Sequence, residues 1–209
     1  PTLTGLGVSY LQGADIFVAK ISADGTDLIA ATYIGGTGND GLNFTPALEF
    51  NFGDRFRGEI IVGDQGGVYV ASVTQSTDFP FTNGFSGAYN GISSGTIFNL
   101  SGDLTQLIWS SATGGDVAEA AFGVQIGPDG TIYITGGTTS VNLISSAAGA
   151  DPSYSGMVDG YIMRLSANGS TVLNSTYVGT FGFDQTYFVQ LDTDGEVYVI
   201  GQSLGDIQV

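Results

Sequence analysis

Residues 129–137 read DGTIYITGG, and close copies of this phrase stand as GGVYVASV ending at Val73 and DGEVYVIGQ ending at Gln202. Each couples a Gly-containing turn to a short run of β-branched and aromatic residues, the pattern of a turn feeding a strand. A phrase written three times marks an internal repeat, and the period of a repeat constrains the fold more tightly than any single segment does.

The period can be counted. Shifting the chain by 65 lays residues 80–144 on 145–209 without a gap, placing Tyr89 on Tyr154, Leu100 on Leu165, Gly114 on Gly179, Gln125 on Gln190 and Tyr133 on Tyr198. The first unit follows the third at a shift of 144, with Tyr10 on Tyr154, Asp15 on Asp159, Gly25 on Gly169, Tyr33 on Tyr177 and Asp40 on Asp184. After Asp40 about fifteen extra residues intervene, and beyond them Gly66 and Tyr69 overlie Gly195 and Tyr198. The chain therefore divides into repeats 1–79, 80–144 and 145–209, with an insertion near 41–58 in the first.

Each unit contains four short apolar runs. In the third they are 161–165, 172–178, 186–191 and 196–201, joined in pairs through Asn168-Gly169 and Asp194-Gly195. Such dipeptides supply positive φ, which predicts two-residue hairpin turns there and at Asp24-Gly25, Gly66-Gly67 and Asp129-Gly130. In the second unit SGDLTQ replaces the first turn, and Gly102 is the displaced glycine. Four antiparallel strands at this period predict an all-β fold, a β-propeller segment of three repeats. A stacked β-sandwich or a β-helix is the alternative.

Composition agrees with a β-rich, turn-rich chain: 34 Gly, 5 Pro and 42% apolar residues in 209. The net charge of −16 repels phosphate backbones and anionic lipid, so nucleic acid is not an expected partner, and with no run of ~18 apolar residues membrane insertion is not expected either. With no His and no Cys, neither a Ser-His-Asp nor a Cys-His nucleophile can be assembled, and the four Glu show no recurring pair, so the expectation is no enzyme activity. No cofactor is expected. Asp192-Thr193-Asp194-Gly195-Glu196 has the alternating oxygens of a calcium loop, but lacks the later ligands and reads as a hairpin turn.

The stretches ADIFVAKISADGTDLIAATYIGGTGND, VYVASVTQSTDFP and DGTIYITGGTTS resemble the bacterial SBBP-type β-propeller repeat. In the first unit the matching residues are Asp15, Phe17, Val18, Lys20, Gly25, Thr32, Tyr33, Gly35, Gly36, Gly38, Asp40, Ser76, Asp78, Phe79 and Pro80. Ala112 in the second unit and Thr180 in the third depart from it. The resemblance implies an exported bacterial protein at the cell surface or outside the cell. It implies a non-enzymatic structural or adhesive interaction scaffold, often one segment of a longer polypeptide. A carbohydrate-binding or carbohydrate-processing propeller is the alternative.

Three repeats are fewer than the ~4–8 blades of closed propellers. If 123–137 belongs to an inner strand pair, the chain opens with an outer hairpin (16–21, 28–34) and closes with an inner one (186–191, 196–201), two whole blades lying between. The remaining blades of a parent polypeptide, or further copies of the chain pairing half-blades head to tail, are the expected partners at these ends. A protein or glycan partner is expected at the insertion, where Phe44, Phe50, Phe52 and Phe56 accompany Arg55 and Arg57, half of all the positive charge. The competing reading has these Phe packing on their own blade. Tyr10, Tyr89 and Tyr154, recurring at one linker position, read as packing residues.

Overall fold

In the computed structural model, which describes residues 13–86, 89, 91–143 and 149–207, the chain is all-β and its strands pair only antiparallel in four sheets. Tyr10 lies outside the described residues. Strands β1 (Ile16–Ile21) and β2 (Leu28–Ile34) form one hairpin. Strands β3 (Glu59–Val62), β4 (Val68–Thr74), β5 (Ser94–Leu100) and β6 (Leu107–Ala112) form a four-stranded sheet in chain order. A second such sheet comprises β7 (Glu119–Ile126), β8 (Ile132–Thr138), β9 (Asp159–Leu165) and β10 (Val172–Val178), and the hairpin of β11 (Asp184–Leu191) and β12 (Val197–Ser203) closes the series. The antiparallel sheets exclude a parallel β-helix.

Neither four-stranded sheet coincides with a sequence repeat. Each joins the last two strands of one unit to the first two of the next, through the β4–β5 and β8–β9 pairings. The two junctions keep the same register: Val68 faces Leu100 as Ile132 faces Leu165, and Thr74 faces Ser94 as Thr138 faces Asp159. The chain ends are thus two complementary hairpins, as the phase of the repeat predicts.

The sheets stack face to face in chain order. Val18, Ala30 and Ile34 of the first hairpin pack on Val68, Val70, Phe98 and Leu100 of the next sheet. The largest cluster joins the two four-stranded sheets through Ala71, Ile97 and Trp109 on one side and Ile132, Ile134 and Met163 on the other. The β11–β12 hairpin lies against β7, β8 and β9. Strands β4, β5 and β8 are covered on both faces, so small and polar residues such as Ser94, Thr96 and Thr135 are buried along with the apolar ones and alternation is weak.

The hairpin loops are longer than the two residues expected. The Gly63, Gly127 and Asp192 amides donate to the carbonyls of Gly67, Thr131 and Glu196, closing three-residue loops whose last residue is Gly66, Gly130 or Gly195 at positive φ. This is the turn-plus-bulge connection, in which glycine occupies the left-handed site after the turn. The outer hairpins close around four residues: the amides of Ser22, Ser101 and Ser166 donate to the carbonyls of Asp27, Gln106 and Thr171. In each the serine hydroxyl donates to the residue two along, Asp24, Asp103 or Asn168. The second of these loops corrects another expectation. Leu104, not Gly102, occupies the left-handed position at φ 60, and its side chain is buried beside Phe79 and Phe98.

Gly169 combines positive φ with a close approach: a Cβ there would lie 2.5 Å from the Trp109 ring, whereas one at Gly195 would meet nothing within 4 Å. Gly195→Ala should cost about 1 kcal/mol from backbone strain alone. Gly169→Ala should cost about 1–3 kcal/mol more, from overpacking against the indole. Chemical denaturation of the two variants checks this, and equal losses would mean that the Trp109 contact carries no weight.

Candidate functional site

The insertion is anchored at the end of the sheets where β7 and β11 begin and β4, β8 and β12 end. Pro46 starts a single 3-10 turn, Pro46–Leu48, its fixed φ suited to the first helical position. A second 3-10 turn, Phe52–Phe56, is capped reciprocally: Asn51 Oδ1 accepts from the Gly53 amide at 2.8 Å and Asp54 Oδ2 from the Asn51 amide at 3.0 Å. Asp54 is fully buried and also accepts from the Phe50 amide and the Arg57 guanidinium, so a charge without solvent is met by donors on several sides.

The insertion spans all three units. Leu48 is buried among Val73 of the first, Ala118, Ala120 and Phe122 of the second, and Val158 and Tyr187 of the third. Its carbonyl accepts from Gln185 Nε2 at 3.0 Å. Thr45 donates to Ser93, Asn51 to Gln202, and the Phe50 and Phe183 rings lie 4.7 Å apart. The expectation that the loop packs its Phe residues on its own blade is therefore corrected: what seats it is Leu48 and a set of polar contacts, made with every unit.

The six aromatic and arginine residues separate into two groups. Arg57 turns inward, its guanidinium 3.9 Å from the Tyr187 ring centroid and paired with Asp54, and Phe50 stacks on Phe183. Phe50 is still 46% exposed there, and Phe44, Phe52 and Phe56 make an exposed patch around the half-buried Arg55. Arg55 lies over both Phe44 and Phe52, at 5.4 and 5.9 Å from their centroids, and is held by Glu49 at 2.7 Å. Phe52 meets Phe56 edge-on at 5.2 Å and is 72% exposed. A cleft of about 420 Å³ begins beside Phe56 and runs along β1, with Asp15, Asp40, Arg57 and Glu59 in its walls.

The carboxylates near this end recur with the repeat, a relation that inspection of the Glu residues alone misses. The shift of 65 places Glu119 under Asp184, and hence under Asp40. All three are buried. Asp40 accepts from the Gly36 amide, the Ser76 hydroxyl and the Thr74 hydroxyl. Glu119 accepts from the hydroxyls of Thr138 and Ser140, which stand where Thr74 and Ser76 stand in the first unit. Gly205 takes the Ser140 position in the third unit, and Asp184 instead accepts from the Thr180 amide and hydroxyl at 2.6 and 2.8 Å. The departure at Thr180 thus replaces a lost hydroxyl. These carboxylates tie the strand start to its neighbours, and each is engaged with groups of the chain itself.

Burial pushes the carboxyls of Asp40 and Asp159 up, and that of Glu119 up to about 7. At the exposed turns the direction reverses: hydrogen bonds from Ser22, Ser101 and Thr131 hold Asp24, Asp103 and Asp129 at about 2. Asp192 is also held low, first by the Glu196 amide, and its Oδ1 accepts from the Asp194 and Glu196 amides at 2.9 Å each. It is thereby committed to its turn. Among the described residues, no group of three or more His, Cys, Asp or Glu is placed to hold a metal ion, and no helix is long and apolar enough to cross a membrane. Tyr89 and Tyr154 donate to the carbonyls of Ile92 and Met157 at 2.6 and 2.7 Å, the same local bond in two units.

Neither a scan against protein-family models nor a search of the curated proteins returns a match to this chain.

Two outcomes follow from the geometry. A carboxyl raised from 4.5 to about 7 on folding binds its proton more tightly in the native state, so its share of stability is present below pH 4.5 and is lost as pH rises toward 7. Glu119→Gln should remove that share, on the order of 3 kcal/mol across the window, flattening the pH dependence of urea unfolding. An unchanged slope would place the titration elsewhere. Leu48→Ala should cost about 2–5 kcal/mol and expose the insertion to proteolysis before the sheets unfold. Retention of protease resistance would show that the polar contacts alone seat the loop.

Proposed function

We propose that this chain is a non-enzymatic interaction scaffold, a β-propeller segment of the SBBP type exported to the bacterial surface or beyond, and that its insertion carries the contact surface. The sheet order supports the architecture: two four-stranded antiparallel sheets stacked in series between two complementary hairpins are the layout of consecutive propeller blades. The repeat resemblance supports the export and the absence of catalysis. The buried carboxylates Asp40, Glu119 and Asp184 are consistent with this, since each is engaged by hydroxyls or amides of the chain.

One observation carries the choice of surface. The insertion buries Asn43, Thr45 and Asp54 beside its one aliphatic anchor, Leu48, and presents Phe44, Phe52 and Phe56 around Arg55. That is the reverse of what a loop folded only for its own stability does. Aromatic and Arg side chains on a fixed frame are the usual anchors of a binding patch. The partner is a protein or a glycan; flat phenyl faces beside a guanidinium suit the apolar faces and hydroxyls of sugar rings as well as they suit a protein surface.

A glycan array and a binding assay against surface extracts separate the two classes. Phe52→Ala with Phe44→Ala should lower affinity by tenfold or more while leaving the unfolding midpoint within a few tenths of a kcal/mol, as expected for exposed side chains. Binding that survives this double variant would remove the patch from the account. Hydrolysis of any glycan on the array would overturn the non-enzymatic reading.

A further inference from the structure

All four Lys and Arg side chains are committed: Lys20 donates to the Gly102 carbonyl, and Arg55, Arg57 and Arg164 pair with Glu49, Asp54 and Asp129. A buried carboxylate anywhere else has no ammonium or guanidinium to offset its charge, and an uncompensated ion out of water is strongly unfavourable. The third unit holds two such groups side by side. Asp159 and Asp184, both buried, begin β9 and β11. A parallel bridge between Val158 and Phe183 holds the two strand starts together, the Asp184 amide donating to the Val158 carbonyl at 2.8 Å. Burial pushes the Asp159 carboxyl up, and the neighbouring Asp184 charge acts in the same direction.

Each of the two carboxylates is half satisfied. Asp159 Oδ2 accepts from the Ser155 amide and hydroxyl at 2.7 and 3.2 Å, and Asp184 Oδ2 accepts from Thr180 as described above. The Oδ1 atom of each is buried and meets no donor among the described residues. Residue type at matched positions explains the difference from the first unit. There Thr74 donates to Asp40 Oδ1, and Ser76 and the Gly36 amide donate to Oδ2. Ser203 and Gly205 stand at the positions of Thr74 and Ser76 in the third unit, and the Ser203 hydroxyl donates instead to the Gly205 carbonyl. In the second unit Ser94 stands where Asp159 does, so the matched pair there has one acid.

The space beside the acids is kept free of side chain. A Cβ on Gly179 would lie 2.5 Å from Asp159 Oδ1, and one on its counterpart Gly35 would lie 2.5 Å from Asp15 Oδ1 and 2.8 Å from Asp40 Oδ2, so the matched acids of the first unit border one point. The Thr180 carbonyl, which accepts from the Ser155 hydroxyl at 3.3 Å, brings an uncharged oxygen to the same corner.

We propose that Asp159 and Asp184 share a calcium-type divalent cation, its remaining ligands being uncharged oxygens of this corner, such as the Thr180 carbonyl and the Ser155 hydroxyl, and water. Carboxylate mixed with carbonyl and hydroxyl oxygen is the donor set of a hard cation, and calcium tolerates its irregular geometry better than magnesium does. With two acids in place of three or more, binding belongs to the weak class, with a Kd of about 10⁻⁴–10⁻³ M.

Thermal unfolding in about 10 mM calcium, against sodium chloride of equal ionic strength, tests the site. Calorimetric titration of the unmodified chain with calcium accompanies it, so the outcome does not depend on any variant folding. The expected result is about one ion per chain and a midpoint raised by about 3–10 °C. The rise should vanish in Asp184→Asn and in Asp159→Ser, which supplies the residue that the second unit carries at this position, and should persist in Asp192→Asn at the exposed turn. Absence of binding heat and of a midpoint rise would overturn the proposal. A calcium response that survives both corner variants, or that disappears with Asp192→Asn, would place the ion elsewhere and overturn it too. A midpoint raised by acid alone, with no response to calcium, would give the pair a shared proton in place of a cation, with the same consequence.

Discussion

A β-strand buried on both faces can reach no water, so its backbone donors and acceptors must be met by strands on both edges. That constraint explains why the sheets straddle the sequence repeats. A unit folded on itself would have to bring its first strand pair across to its second. Instead β8 completes its pairing with β9 of the next unit, as β4 does with β5, and each joint locks two units into one sheet. The corner carboxylates serve the same end. Asp40, bridged to the end of β4, is fastened to the hydroxyls of Thr74 and Ser76, and Glu119 to those of Thr138 and Ser140, holding the start of β7 beside the end of β8.

The insertion builds on this frame. It sits where strands from all three units converge, and its single large apolar anchor, Leu48, enters a cluster drawn from each of them. Its polar contacts satisfy a buried aspartate and order two short 3-10 turns. With the backbone so fixed, the Phe44, Phe52 and Phe56 side chains stand outward around Arg55.

Much of the fold was legible before any coordinates, because hairpins and repeats are local signals. The turn glycines at 25, 66, 130, 169 and 195 all adopt positive φ, and the phase of the phrase DGTIYITGG correctly places complementary hairpins at the two ends. Loop length was not legible: Asp-Gly serves two-, three- and four-residue loops alike, and only the bulge bonds distinguish them. Leu104 in a glycine's place was invisible because tertiary burial beside Phe98 outweighs the local preference against positive φ. The corner carboxylates were half visible. Asp40 and Asp184 match by type, but Glu119 is one methylene longer and escapes a search for identical letters. The insertion's reach to Gln185 and Tyr187 follows from stacking of the sheets, which no spacing along the chain encodes.

The central claim is that four-stranded sheets form across unit boundaries in a fixed register, and backbone contacts in solution test it most directly. Isotope-filtered NMR should show cross-strand backbone contacts linking Ile134 with Met163 and Thr135 with Ile162, together with the matching contacts linking Val70 with Phe98 and Ala71 with Ile97. Contacts that instead close each unit on itself, joining β5 or β6 to β7 or β8 as neighbouring strands of one sheet, would contradict the account.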